Sequence, residues 1–121
     1  MNTVSPHIHI EIHISDPWGL GEALRWEPLK GEIIAINDLP IGGMALIRLD
    51  YSFNYKNTEC EYFIARPRYT GANIGALFKG KPMICGLTRI SKKLAESQNP
   101  FDLSLWRGGV TIIGELELLE Q

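Results

Sequence analysis

The sequence predicts an all-β fold: a single antiparallel β-barrel of six to seven strands, with one long Gly/Pro-containing loop and at most a short helical turn. Three observations predict it. Residues 7–15 alternate isoleucine with polar side chains, and residues 44–55 and 110–118 alternate in the same way. Turn residues (Gly, Pro, Asn, Asp) separate these stretches at short intervals. No stretch sustains a helical repeat of apolar residues. A period of two is the mark of a strand with one face buried. A chain of 121 residues forms one domain, 1–121, and is long enough to bury a core without staples.

Each element follows in order. In the first strand Ile8, Ile10, Ile12 and Ile14 face one way, and His7, His9, Glu11 and His13 the other. Asp16-Pro17-Trp18-Gly19 ends it, because Pro17 has no ladder donor. Residues 20–30 read as irregular, with Trp26 and Leu29 as anchors and a short helical turn over 21–26. A second strand, rich in isoleucine, spans 31–37, and a loop with Asp, Pro and two Gly covers 37–43. Strand 44–55 places Ile47, Leu49, Tyr51 and Phe53 on one face. It pairs as a hairpin with strand 58–66, which places Cys60, Tyr62 and Ile64 on one face. Residues 67–82 form the long loop, with one helical turn over 73–78. Strand 83–90 follows, then one amphipathic helical turn over 91–98, stopped by Asn99-Pro100. Phe101, Leu103 and Leu105 alternate with Asp102, Ser104 and Trp106; Gly108-Gly109 turns the chain. In the last strand Val110, Ile112, Gly114, Leu116 and Leu118 point inward. Strands with one apolar face form a barrel or a sandwich, and the barrel is favoured because closure removes exposed edges.

The closing segment, Phe101-Asp-Leu-Ser-Leu-Trp-Arg-Gly-Gly-Val-Thr-Ile-Ile-Gly-Glu-Leu-Glu, resembles the last hairpin of the C-terminal β-barrel domain of elongation factor Tu. The Ile8–Ile14 strand is similar to that domain's first strand, and Trp26-Glu-Pro-Leu-Lys-Gly31 to the stretch after it. Residues 44–93 depart from that family, and no part of the chain corresponds to its GTPase domain. The resemblance implies a barrel and a binding surface. It implies neither GTP hydrolysis nor translation elongation.

Net charge is −2, but its layout is uneven. Residues 1–65 hold nine acids against four Lys/Arg, and residues 94–121 five acids against one Arg. Between them, residues 66–93 carry Arg66, Arg68, Lys79, Lys81, Arg89, Lys92 and Lys93 and no acid. Tyr69 lies beside the arginines. Guanidinium forks suit phosphate or carboxylate, and a ring stacks on a base. These eight residues form the candidate binding surface for an acidic macromolecule, either RNA or an acidic protein face.

Other chemistries find less support. His7, His9 and His13 share a strand face, and side chains at i and i+2 lie about 7 Å apart, close enough for two to share a metal. The chain holds no fourth histidine. The face therefore reads as solvated, and no cofactor is expected. Gly75-Ala-Leu-Phe-Lys-Gly80-Lys81-Pro82 nearly spells a phosphate-binding loop, but Pro82 replaces the hydroxyl that holds magnesium. There is no nucleophile elbow G-x-S-x-G. Cys60 and Cys85 read as buried thiols, and Glu59/Glu61 and Glu115/Glu117 as solubilising acids. The first six residues have no signal-peptide pattern, and no apolar run approaches the ~20 residues of a membrane helix. The expectation is a cytoplasmic, non-enzymatic binding module without membrane contact, whose exposed strand edges leave room for a homodimer. The alternatives are an immunity- or antitoxin-type protein-binding partner, and a metal-dependent enzyme using the first-strand histidines.

Overall fold

The computed structural model describes residues 3–4, 8–14, 28–37, 42–55, 58–68, 71–102 and 111–119. Its strands are β1 Thr3–Val4, β2 Ile8–Ile14, β3 Leu29–Asn37, β4 Met44–Tyr55, β5 Thr58–Pro67, β6 Met83–Ile90 and β7 Thr111–Leu118. A 3-10 helix, Ile74–Lys79, lies between β5 and β6, and helix α1, Lys92–Ala95, follows β6. Residues 15–27, including Trp26 and the turn expected over 21–26, and residues 103–110 lie outside the described residues. No helix among the described residues is long and apolar enough to cross a membrane.

Each strand from β2 to β7 pairs antiparallel with the next, and β7 returns to pair with β2. The result is a closed six-strand antiparallel barrel, so the predicted class holds. β1 continues the edge of β3 that β2 occupies. Val4 stands opposite Ile36 and Ile8 opposite Ile33, so four steps on one side face three on the other.

The predicted face residues Ile10, Ile12, Ile47, Ile112 and Leu116 fill the barrel together with Ile33, Phe63 and Leu87, to which the alternation assigns no inward place. All are essentially buried. Each such side chain contributes roughly 1.5–3 kcal/mol relative to exposure. One end of the barrel is plugged by the 3-10 helix, whose Ile74 and Leu77 are fully buried in the same core. Three local bonds seat it. Asn73 Oδ1 accepts from Gly75 N–H at 2.7 Å, Ile74 N–H donates to Gly42 O at 2.7 Å, and Gly80 N–H donates to Leu77 O at 3.1 Å.

Two expectations about faces are corrected. Strand β5 is apolar on both sides: Tyr62, Phe63, Ile64 and Ala65 are all buried. Cys60, Phe63 and Ala65 belong to the barrel core, whereas Tyr62 and Ile64 belong to a second layer on the outer wall. That layer is closed by Ala95 of α1 and by Phe101. Ser91 Oγ caps α1 by accepting from Leu94 N–H at 3.1 Å. The predicted face Cys60–Tyr62–Ile64 is therefore split. The cause is a bulge: Arg48 pairs with Tyr62 and Phe53 with Cys60, so five steps on β4 face two on β5. An odd offset switches faces. Tyr51, expected inside, lies within the bulge and is 86% exposed.

Cys60 and Cys85 are buried free thiols, as expected. Burial pushes the Cys85 thiol up from 9.0 to about 12. Below pH 9 the thiol is neutral in both folded and unfolded chains. Above it the unfolded chain ionises first and binds fewer protons, so stability falls as pH rises from 9 towards 12. Denaturant midpoints should drop across this window, and less steeply in Cys85→Ala. An identical slope in the variant would show that Cys85 is not the group responsible.

Candidate binding surface

The register places each basic residue. Arg66 stands opposite Gly86, near the plugged end, and its side chain is exposed. Arg68 follows, with its backbone N–H donating to Ile84 O at 3.0 Å. Its side chain is exposed and its Cδ passes 3.9 Å from the point a Cβ on Gly86 would occupy. Lys79 ends the 3-10 helix and Lys81 follows the left-handed Gly80; both are exposed. These four cations gather where β5 ends and β6 begins.

The other three lie at the far end of β6. Its eight residues cover about 23 Å at roughly 3.3 Å per step. Arg89 is half-buried, and its Nε donates to the Glu59 backbone O at 3.0 Å. Lys92 and Lys93 are exposed on α1, which packs on the outer face of β5. Six of the cations thus follow the β5–β6 side of the barrel from end to end, as a strip and not as one cluster, whereas Arg89, opposite the core residue Phe63, shares the inward register of Cys85 and Leu87 at the barrel's far mouth. Tyr69 lies outside the described residues.

Acids border the strip. On β7, Glu115 stands opposite Ile84 of β6. Glu117, Leu118 and Leu119 line a shallow open hollow with Gly80. At the C-cap of α1, one turn after Lys92, Glu96 is exposed. Elsewhere, Arg48 Nη2 donates to Glu32 Oε1 across β3 and β4.

The histidines face outward on β2, with His9 and His13 exposed; the side chain of His7 lies outside the described residues. Glu117 stands opposite Glu11, and His13 Nε2 lies 3.5 Å from Glu11 Oε1 and 3.8 Å from Glu117 Oε2. This block is an acidic patch bridged by an imidazole. Among the described residues, no three His, Cys, Asp or Glu side chains are arranged to hold a metal ion. Cys85 points into the core, so the barrel wall separates it from these histidines.

The phosphate-loop likeness has no phosphate cradle behind it. Leu77 is buried in the core and Ala76 and Phe78 pack against it, while Gly75 N–H is taken by Asn73 Oδ1. A phosphate loop needs such N–H groups aimed outward.

Two features escaped the sequence. Tyr51 reads as one more inward residue, because the bulge that turns it out leaves no mark in the alternation. Asn37 is buried, and its Oδ1 has no hydrogen-bond partner among the described residues. Nothing in the pattern of strand 31–37 distinguishes it.

Fold and surface together define a class: a small closed antiparallel β-barrel with a basic strip along one wall. No protein family, no curated protein and no solved structure matches the chain.

Proposed function

We propose that this chain is a non-enzymatic binding module that meets an acidic macromolecule through Arg66, Arg68, Lys79, Lys81, Arg89, Lys92 and Lys93. One observation carries the reading: six of these cations, all but Arg89, are exposed along one side of the barrel, and the segment 66–93 that supplies them contains no acid. Summed fields of this kind steer acidic partners and raise their local concentration. The likeness of residues 8–14 and 101–117 to the C-terminal barrel of elongation factor Tu supports a binding barrel in the same sense. Two free buried thiols are in keeping with a reducing cytoplasm.

The test is fluorescence anisotropy of labelled single-stranded RNA and of labelled polyglutamate, titrated with the intact chain at several salt concentrations. At least one probe should bind, with log K falling linearly against log salt. Binding without a salt slope, or none by either probe at low salt, would overturn the proposal.

A second reading, a protein-binding partner of the immunity or antitoxin type, has an observation of its own. Tyr51 is the one large hydrophobic side chain exposed among the described residues. Tyrosine is enriched at the anchoring points of protein interfaces. Under this reading, Tyr51→Ala would abolish co-purification of a stoichiometric protein partner from native lysate while leaving polyanion binding unchanged.

A further inference from the structure

We infer that the partner of the basic strip is a single-stranded nucleic acid lying lengthwise along the β5–β6 wall, from Lys79 and Lys81 to Lys92 and Lys93. The inference rests on the binding role proposed for that strip.

Length is the first argument. Cations at both ends of β6 stand about 23 Å apart. One phosphate or one small carboxylate cannot touch both groups. A chain with a charge on every unit can, and each contact releases a counterion, so the contributions accumulate along the strip.

The shape of the wall is the second. Between the two cation groups, position 86 has no side chain, and a Cβ there would meet nothing closer than Arg68 Cδ at 3.9 Å. Row by row, Arg66 flanks Gly86 on β5 and Ile113 flanks it on β7. A backbone can approach the wall at this notch, alongside the stem of Arg68. Glu115, on the β7 flank, repels a polyanion and so keeps it to the strip on that side.

The third argument separates nucleic acid from an acidic protein. Stable protein interfaces bury a central apolar patch with aromatic anchors. The strip offers none among the described residues. The exposed aromatic, Tyr51, belongs to β4 and not to β5 or β6. Phosphate contacts need no apolar centre. A duplex is a stiff rod with a persistence length of about 50 nm, and it meets a convex barrel over a short patch only. A flexible single strand follows the wall.

The experiment uses the full chain, a ladder of oligouridylates of increasing length, an RNA duplex and polyglutamate. Affinity for the oligouridylates should rise steeply with length up to at least about 4 nucleotides. Two double variants divide the strip: Arg66→Gln with Arg68→Gln, and Lys92→Gln with Lys93→Gln. All four side chains are exposed, and unchanged circular dichroism would verify that both variants fold. Each pair should lower the salt slope by roughly 1.4, at about 0.7 per charge for a single strand. If only the arginine pair changes the slope, the site is compact and the lengthwise strand is wrong. Duplex binding as tight as single-strand binding would also overturn it. If polyglutamate binds and RNA does not, the binding module survives and this inference falls. If neither binds, both fall.

Discussion

Phe63→Ala is expected to destabilise the protein by about 3–5 kcal/mol. Phe63 is the bulkiest of the fully buried side chains. It sits on β5 opposite Ile47 of β4 and Arg89 of β6, inside the core cluster shared with Cys60, Leu87 and Ile112. Removing the ring loses its transfer free energy and leaves a cavity that a closed barrel cannot easily collapse, because every strand is bonded on both sides. A domain of this size has about 5–15 kcal/mol of total stability, so the loss is a large share. The urea midpoint should fall while the m-value stays constant. Phe63→Leu keeps most of the volume and should cost much less. A loss under about 1 kcal/mol for the alanine variant would contradict the central placement of the ring.

Gly43→Ala is expected to cost about 2–5 kcal/mol and to loosen the plug. Two effects combine. Gly43 has φ of 77°, where a residue with a Cβ pays roughly 1–2 kcal/mol. The new Cβ would also lie 2.7 Å from Ile74 Cγ2 and 3.2 Å from the Asn37 carbonyl O. Overpacking of this kind typically adds about 1–3 kcal/mol. Ile74 must move, and its N–H bond to Gly42 O moves with it. Amide exchange at Ile74 should therefore accelerate, while amides in β2 and β7 slow or speed only with global stability. Gly80→Ala is the control. Its φ is 90°, but a Cβ there meets nothing within 4 Å, so only the backbone strain remains. Equal effects of the two substitutions on Ile74 exchange would show that the contact with Ile74 plays no part.

The plug matters for the binding surface as well as for stability. Lys79 ends the same 3-10 helix that buries Ile74 and Leu77, and Lys81 follows directly after its Gly80 cap. The hydrophobic residues fix the helix in the barrel mouth, and the cations are thereby presented at its rim.

The sequence was most readable where one face of a strand is wet. In β2, Ile10 and Ile12 are buried between exposed His9 and His13, and in β7, Ile112, Gly114 and Leu116 are buried between exposed Thr111 and Glu117. Alternation states the answer directly there. It failed on β5, because the outer face of Tyr62 and Ile64 is covered by α1 and Phe101. A run buried on both sides has no period to read. The bulge between β4 and β5 accounts for the rest: it splits Cys60 from Tyr62 and turns Tyr51 out, and a single strand's pattern does not record its partner's register. The helical turn near residues 73–78 was legible from local chemistry, since the Asn73 cap and the Gly80 end act within one turn.

By itself, then, the sequence determined that β2 to β7 are strands, which side chains of β2 and β7 point inward, where the helical turn near residues 73–78 falls, and that the segment 66–93 carries no acid. These are short-range properties, set by side-chain period and turn stereochemistry. Only the tertiary structure decided that β7 pairs with β2 to close the ring, that α1 covers β5, and that the basic block is drawn out along β6. Strand β6 runs through the middle of that block, and an extended chain separates its ends by about 3.3 Å for every residue. Residues that form one cluster in the sequence therefore become a strip on the barrel wall.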